Sequence, residues 1–243
     1  MINEKMKIKK RDFLVILFSV ITILLQSCAS QNYTYPNTRP EGFVYLKEIV
    51  PDILVDMRYA GSNNFIGRAI EGYERPLAIL SNDAAEALKK VQNEIRPYGL
   101  YLLIYDAYRP QRAVNDFYRW AGDPKDQKNK AKYYPDIDKK LLFKEEYIMN
   151  RSAHSRGSAV DLTIACKMPN GSFRELDMGS GFDLFSKKSW SDSYEVSSQQ
   201  RANRLLLRTL MMKHGFLPYS KEWWHFSLKD EPFPNIYFDF PVK

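Results

Sequence analysis

SAHSRGSAVDLTIA, residues 152–165, sets a histidine, an arginine–glycine step and an aspartate directly ahead of an apolar, β-branched run. Val160, Thr163 and Ile164 fit a strand over residues 157–165. Were His154 and Asp161 on one straight strand, they would stand more than ~20 Å apart at ~3.3 Å per residue. A helix would align them on one face, still ~10 Å apart along its axis. Gly157 and the β-branched residues argue against helix in any case. A bend at Arg156-Gly157 remains, with His154 arriving before it and Asp161 pointing back from the strand. That bend brings an imidazole and a carboxylate together, as a zinc site requires. Taken alone, the pair reads equally well as a surface histidine and a turn-forming aspartate.

Outward from this stretch, Asn170-Gly171 is a hairpin turn signal. Upstream, Ser81 or Asn82 caps a predicted helix from about Asp83 to Ile95, whose Ala84, Leu88, Val91 and Ile95 recur at helical spacing until Pro97 and Gly99 stop it. The apolar run Leu100–Tyr105 is of strand length and ends at Asp106 and Arg109-Pro110. Gln111–Trp120 reads as a second helix, ended by Gly122-Asp123-Pro124, and a further helix is expected from Asp136 onward. Ser197 or Ser198 caps the last helix, with Leu205, Leu206, Thr209, Leu210 and Met212 as its expected apolar face and Gly215 as its stop. His214, in the last turn, complements the helix dipole. Strand structure is expected to return over Phe216–Leu228, and the aromatic stretch Phe233–Phe240 closes the chain. Helices and strands without a βαβ rhythm point to an α+β single domain, a central antiparallel sheet flanked by helices.

With 243 residues, 44% of them hydrophobic, the chain can bury one sizeable core. Its net charge of +7 is partly owed to the leader: without residues 1–27, 31 basic residues face 27 acidic ones. The rest are interspersed, which gives no electrostatic footprint for nucleic acid. The basic Lys5–Arg11 followed by apolar Phe13–Leu25, too short for a comfortable membrane span, reads as an export signal. Leu25-Gln26-Ser27-Cys28 resembles a lipoprotein processing box, although Gln26 is not its favoured residue. The expected organisation is a signal peptide over residues 1–27, a tether over 28–42 and a catalytic domain over 43–243. Export then leaves the domain on the periplasmic side or cell surface, held to the membrane by lipid on Cys28. Cleavage near Ser30, or a retained anchor helix, are the alternatives. Cys166, left without a partner, is expected to be a small buried apolar group.

Only three histidines exist, His154, His214 and His225, so a histidine-only metal site is nearly excluded. Glu222-Trp223-Trp224-His225 adds a carboxylate and an imidazole around two tryptophans. Those tryptophans are expected to form an apolar wall that desolvates Glu222 and raises its pKa toward that of a proton carrier. Two histidines and one carboxylate leave a fourth zinc position open, as in hydrolytic sites. An aromatic core turn with an ordinary salt bridge at Glu222 is the other reading. Arg109 emerges at a strand end, where a guanidinium can stabilise an oxyanion or simply pair with Asp106 or Asp116.

Four motifs in order, SxHxxGxAxD at 152–161, YDAYRP at 105–110, EWWHF at 222–226 and the tail DEPFPNIYFDFPVK, resemble the VanX-type D-alanyl-D-alanine dipeptidases. The likeness runs from about Phe43 to Lys243. It implies a fold shared with D,D-carboxypeptidases and hedgehog signalling domains, and one Zn2+ per chain. It implies His154, Asp161 and His225 as metal ligands, Glu222 as general base then acid, and Arg109 as transition-state stabiliser. By the same likeness Asp183 is assigned to the ammonium of a small D,D-dipeptide substrate, and Ser152 to positioning it. A solvated turn Asp and a capping Ser are the plainer readings of those two. The leader departs from the family, whose best-known enzymes are cytoplasmic. A D,D-carboxypeptidase that trims longer peptidoglycan stems and a noncatalytic zinc-dependent binding lipoprotein are the competing functions.

Overall fold

The structure, a computed structural model, describes residues 39–243. The expected leader, the lipid site at Cys28 and the tether up to residue 38 lie outside the described residues.

The chain enters through β1 (Phe43–Tyr45), α1 (Leu46–Ile49) and β2 (Leu54–Val55). β3 (Ile79–Ser81) pairs antiparallel with β1 and leads straight into α2 (Asn82–Ile95), whose N-terminal amide at Ala84 donates to the Ser81 hydroxyl. Ala84, Leu88, Val91 and Ile95 are all buried, so the helical spacing read from the sequence is the core face. β4 (Leu100–Asp106) follows, then α3 (Gln111–Gly122), α4 (Lys130–Tyr133), β5 (Ala159–Lys167), β6 (Phe173–Glu175), α5 (Ser198–Lys213), β7 (Phe216–Tyr219) and β8 (Glu222–Leu228).

The larger sheet runs β2-β4-β5-β8-β7, with β6 pairing onto β5 through the Asn170-Gly171 turn. Every pair is antiparallel except β2 with β4 at one edge. The expected α+β single domain is therefore observed. β5 sits at the centre and is buried from Ala159 to Ala165, which is why its sequence is almost uninterruptedly apolar.

Three expectations fail. Helix does not continue from Asp136; the segment turns instead, with only a 3-10 turn at Lys139–Leu141. The cause is the buried Lys139 ammonium, which donates to the Asp123 and Asp126 carbonyls and lies 4.0 Å over the Trp120 ring. The chain wraps a cation there rather than extending as helix.

α5 keeps its expected bounds and a Ser197/Gln200 capping box, but it is rotated. Arg204, Leu207, Leu210 and Met211 face inward, while Leu205, Leu206 and Met212 are exposed. Arg204 sets the rotation: its buried guanidinium donates to the Met178, Lys188 and Trp190 carbonyls. Such a group costs several kcal/mol, on the order of its desolvation, unless those bonds are made. Cys166 is half-buried rather than buried, its thiol directed at the Arg174 carbonyl. His214 caps the end of α5 and, with Lys213, reaches Glu94 of α2.

The C-terminal stretch braces both approaches to the sheet. Phe43 packs among Phe233, Phe238 and Phe240, and Phe240 stacks on Tyr108. The Phe238 amide donates to the Ser155 carbonyl, while the Phe238 carbonyl accepts from the Gln111 amide.

Candidate metal centre and its pocket

Strand register does most of the assembly. Asp106, Asp161 and His225 lie abreast on the neighbouring strands β4, β5 and β8 as successive cross-strand partners. His154 arrives from outside the sheet. It sits in a 3-10 turn over Ala153–Arg156 that the Ser152 hydroxyl caps by accepting from the His154 amide. Gly157 then reverses the chain at φ +84°, with Phe43 packed where a side chain would stand, so the bend requires glycine. The bend expected between His154 and Asp161 is thus present.

His154 Nδ1 donates to the Ala107 carbonyl at 2.7 Å, which leaves Nε2 as a lone-pair donor pointing inward. That Nε2 lies 3.1 Å from His225 Nδ1 and 3.2 Å from Asp161 Oδ1, and the last two atoms are 3.0 Å apart. Ligands at ~2.0–2.1 Å from a tetrahedral zinc stand ~3.3 Å from one another. The triangle is only slightly tighter than that. Two imidazole nitrogens and a carboxylate oxygen converge on one point, so the residues fit Zn2+ with a further position open. Among the described residues this is the one such cluster of His, Cys, Asp or Glu. Burial alone would raise the Asp161 carboxyl, but His154 and His225 against it hold it well below the usual carboxylate range.

Glu222 Oε2 lies 3.8 Å from His225 Nδ1. Residues three apart on a regular strand face opposite ways; here the β7–β8 register slips beside Tyr219, and the bulge turns both side chains into one cavity. Burial pushes the Glu222 carboxyl up to about 7, helped by Asp161 and opposed by His225 and Arg109. The expected tryptophan wall is not its cause in the form anticipated. Trp223 turns away to donate to the Ser180 hydroxyl, Trp224 packs on Phe182, and neither lines the cavity. The apolar wall comes instead from Tyr59, Phe65, Phe117, Tyr147 and Phe185.

Arg109 lies between the Tyr59 and Phe117 rings, its Cζ 5.1 Å from each. Its Nε donates to Asp106 Oδ2 at 2.8 Å and its Nη2 to Asp161 Oδ2 at 3.4 Å. Asp161 thereby gives one oxygen to the histidines and the other to the guanidinium. Asp106 is wholly buried and takes a second hydrogen bond from the Tyr73 hydroxyl. Of the two carboxylate partners foreseen for Arg109, Asp106 is used and Asp116 is not; Asp116 pairs with Arg68.

Asp183 lies in the same cavity, 5% exposed, in a left-handed conformation at φ +60°. Its Oδ2 accepts from the Tyr59 hydroxyl at 2.8 Å. Burial, reinforced by Asp161, pushes its carboxyl well above the ordinary value. It is therefore no solvated turn residue. Ser152 is both the capping serine and a lining residue. All seven residues singled out in the sequence meet around one cavity of about 360 Å³, at the small end of ligand sites. Sequence reading missed Tyr59, which comes from a short turn distant in the chain, and did not foresee that Asp106 would be wholly buried and bonded also to Tyr73. The burial of Asp106 was signalled only by its place at the end of an apolar strand.

The chain matches the peptidase M15 family, described as D-ala-D-ala dipeptidase, over residues 39–243. It is 42% identical over 202 residues to the D-alanyl-D-alanine dipeptidase of Enterococcus faecium, covering 83% of this chain and 98% of that one. With the enzyme of that name from Streptomyces coelicolor it shares 40% over 200 residues, 82% of this chain and 98% of the other. With the one from Escherichia coli it shares 37% over 185 residues, 76% and 83% of the two chains. A family-wide match over the whole described region, in a chain whose His154, Asp161 and His225 could hold a metal ion, places it in the peptidase M15 family of D-ala-D-ala dipeptidases.

Proposed function

We propose that this protein hydrolyses D-alanyl-D-alanine, and similar D,D-dipeptides, to free amino acids, using one Zn2+ held by His154, Asp161 and His225. The observation that carries the dipeptide reading is the buried Asp183–Tyr59 pair in the cavity lining. Asp183 and Tyr59, 5% and 2% exposed, meet there in a hydrogen bond and leave a carboxylate for an ammonium where a longer acyl chain would need an opening.

When bound, zinc supplies Lewis-acid chemistry, lowering the pKa of water and polarising a peptide carbonyl. The chain's own residues do the rest. Glu222 takes the proton from the attacking water on its carboxylate and returns it to the leaving amine; a carboxyl pushed up to about 7 suits both transfers. Arg109, held in place by Asp106 and two aromatic faces, presents its guanidinium to the negative charge that develops on the carbonyl oxygen. Asp183 binds the substrate ammonium, and the Ser152 hydroxyl helps to position the dipeptide.

The test is a zinc-dependent assay across D-Ala-D-Ala, D-Ala-D-Ser and their N-acylated forms. Turnover confined to the free dipeptides supports the reading; equal turnover of the acylated forms replaces it with a D,D-carboxypeptidase, which the export-type leader favours. The leader also supports export, and Cys28 a lipid anchor on the periplasmic side or cell surface. Incorporation of labelled palmitate that a Cys28→Ala variant loses would bear that out, and a cytoplasmic, unlabelled protein would dismiss it.

A further inference from the structure

The cavity lining carries four carboxylates, Glu146, Asp161, Asp183 and Glu222, against two guanidiniums, Arg109 and Arg151. Glu146 is paired with Lys221, and a divalent cation offsets the charge of the others. A zwitterionic dipeptide preserves that balance, provided each end of the substrate meets its opposite. Asp183 serves the ammonium at the buried end. The carboxylate has far fewer choices, because His154 Nε2 and His225 Nδ1 face the metal set and Arg109, bonded to Asp106 and Asp161, is given to the carbonyl oxygen.

Arg151 is the cation left over. It is exposed at the cavity rim, immediately before Ser152, and no ion pair engages it among the described residues. Its Cζ stands 4.9 Å from the centroid of the Tyr237 ring, a cation–π contact. A contact of that kind steadies the group. Among the described residues no hydrogen bond or ion pair takes its N–H groups, which can bind a carboxylate through two parallel hydrogen bonds.

We propose that Arg151 binds the C-terminal carboxylate of the substrate dipeptide and so requires a free acid at that end. The inference rests on the dipeptidase reading. It assigns the two ends of the substrate to two depths of the cavity, ammonium at the floor on Asp183 and carboxylate at the rim on Arg151. The enzyme would then measure a dipeptide by both its charges.

The experiment compares kcat/KM for D-Ala-D-Ala and for its C-terminal amide, using the full zinc-loaded chain and its R151A and R151K variants. Wild type is expected to prefer the acid by on the order of tenfold, the scale of a charge-assisted hydrogen bond at a part-exposed site. R151A should lose that preference through a rise in KM for the acid alone, with kcat and the amide reaction unchanged; R151K should keep part of it. An acid preference in R151A equal to that of wild type overturns the assignment. Should wild type cleave neither substrate, the dipeptidase reading itself falls and takes this assignment with it, a result distinct from the first.

Discussion

Asp161 and His225 face each other across β5 and β8 as cross-strand partners, with Oδ1 and Nδ1 3.0 Å apart. Two of the three proposed ligands are thus fixed by sheet register, and only His154 depends on a turn. Asp161→Ala should leave the sheet intact and cut retained zinc from one ion per chain by an order of magnitude or more. Metal analysis after dialysis, with circular dichroism as the check on folding, reads this directly; full zinc content in the variant would remove Asp161 from the ligand set.

Glu222→Gln keeps the shape of the side chain and removes its ability to carry a proton. Zinc content should be unchanged and kcat should fall by about 10²–10⁴, the usual contribution of a positioned acid–base group. Activity within a few fold of wild type would mean that another group moves the proton.

Asp106 touches no substrate in this account; it acts by holding Arg109, with Tyr73 as its second partner. Asp106→Asn leaves the size unchanged but trades a charge for a neutral amide beside a buried guanidinium. We expect kcat to drop at least tenfold with KM nearly constant, together with a lower melting temperature. Tyr73→Phe, which removes one hydrogen bond worth about 1 kcal/mol, should move both in the same direction by less. A lower melting temperature with kcat untouched would make Asp106 merely structural.

Asp116 supplies a pH signature away from the site. Burial tends to raise its carboxyl, yet the two-pronged Arg68 bond and the Glu71 amide bring it below its ordinary value of 3.8. A carboxylate depressed in the folded state contributes stability that is fully present above the unfolded value and lost as pH falls through the folded one. The stability gap between wild type and Asp116→Asn should therefore be constant at neutral pH and narrow only below about pH 3.8. Denaturant titrations from pH 7 to pH 2.5 would show it, and a gap that stays constant to the acid end would contradict it.

Much of this architecture was legible because it is local. The Ser81 cap, the apolar run of β4, the Asn170-Gly171 turn and the capping box of α5 each declare themselves within a few residues. The proposed ligand set rests on a different footing: three histidines left few assignments, and spacing and the likeness to the D-alanyl-D-alanine dipeptidases supplied the rest. What stayed hidden was set by distant partners. Arg204 rotates α5 to satisfy carbonyls near residues 178–190, and Lys139 folds its segment around a buried charge. Neither demand shows in hydrophobic spacing. Tyr59 carries no local mark of its place beside Asp183, and the tryptophan pair misled because a bulge in β8 decides which way each ring points.

The C-terminal stretch ties Ser155, next to a proposed ligand, to Gln111, two residues beyond the proposed oxyanion group. Those ties are made by Phe238, five residues from the last, and Lys243 itself accepts from Tyr45. In a chain synthesised from its N-terminus, this frame closes only after Phe238 emerges. A polypeptide that has not yet released Phe238 holds every residue of the site without the clasp that aligns them.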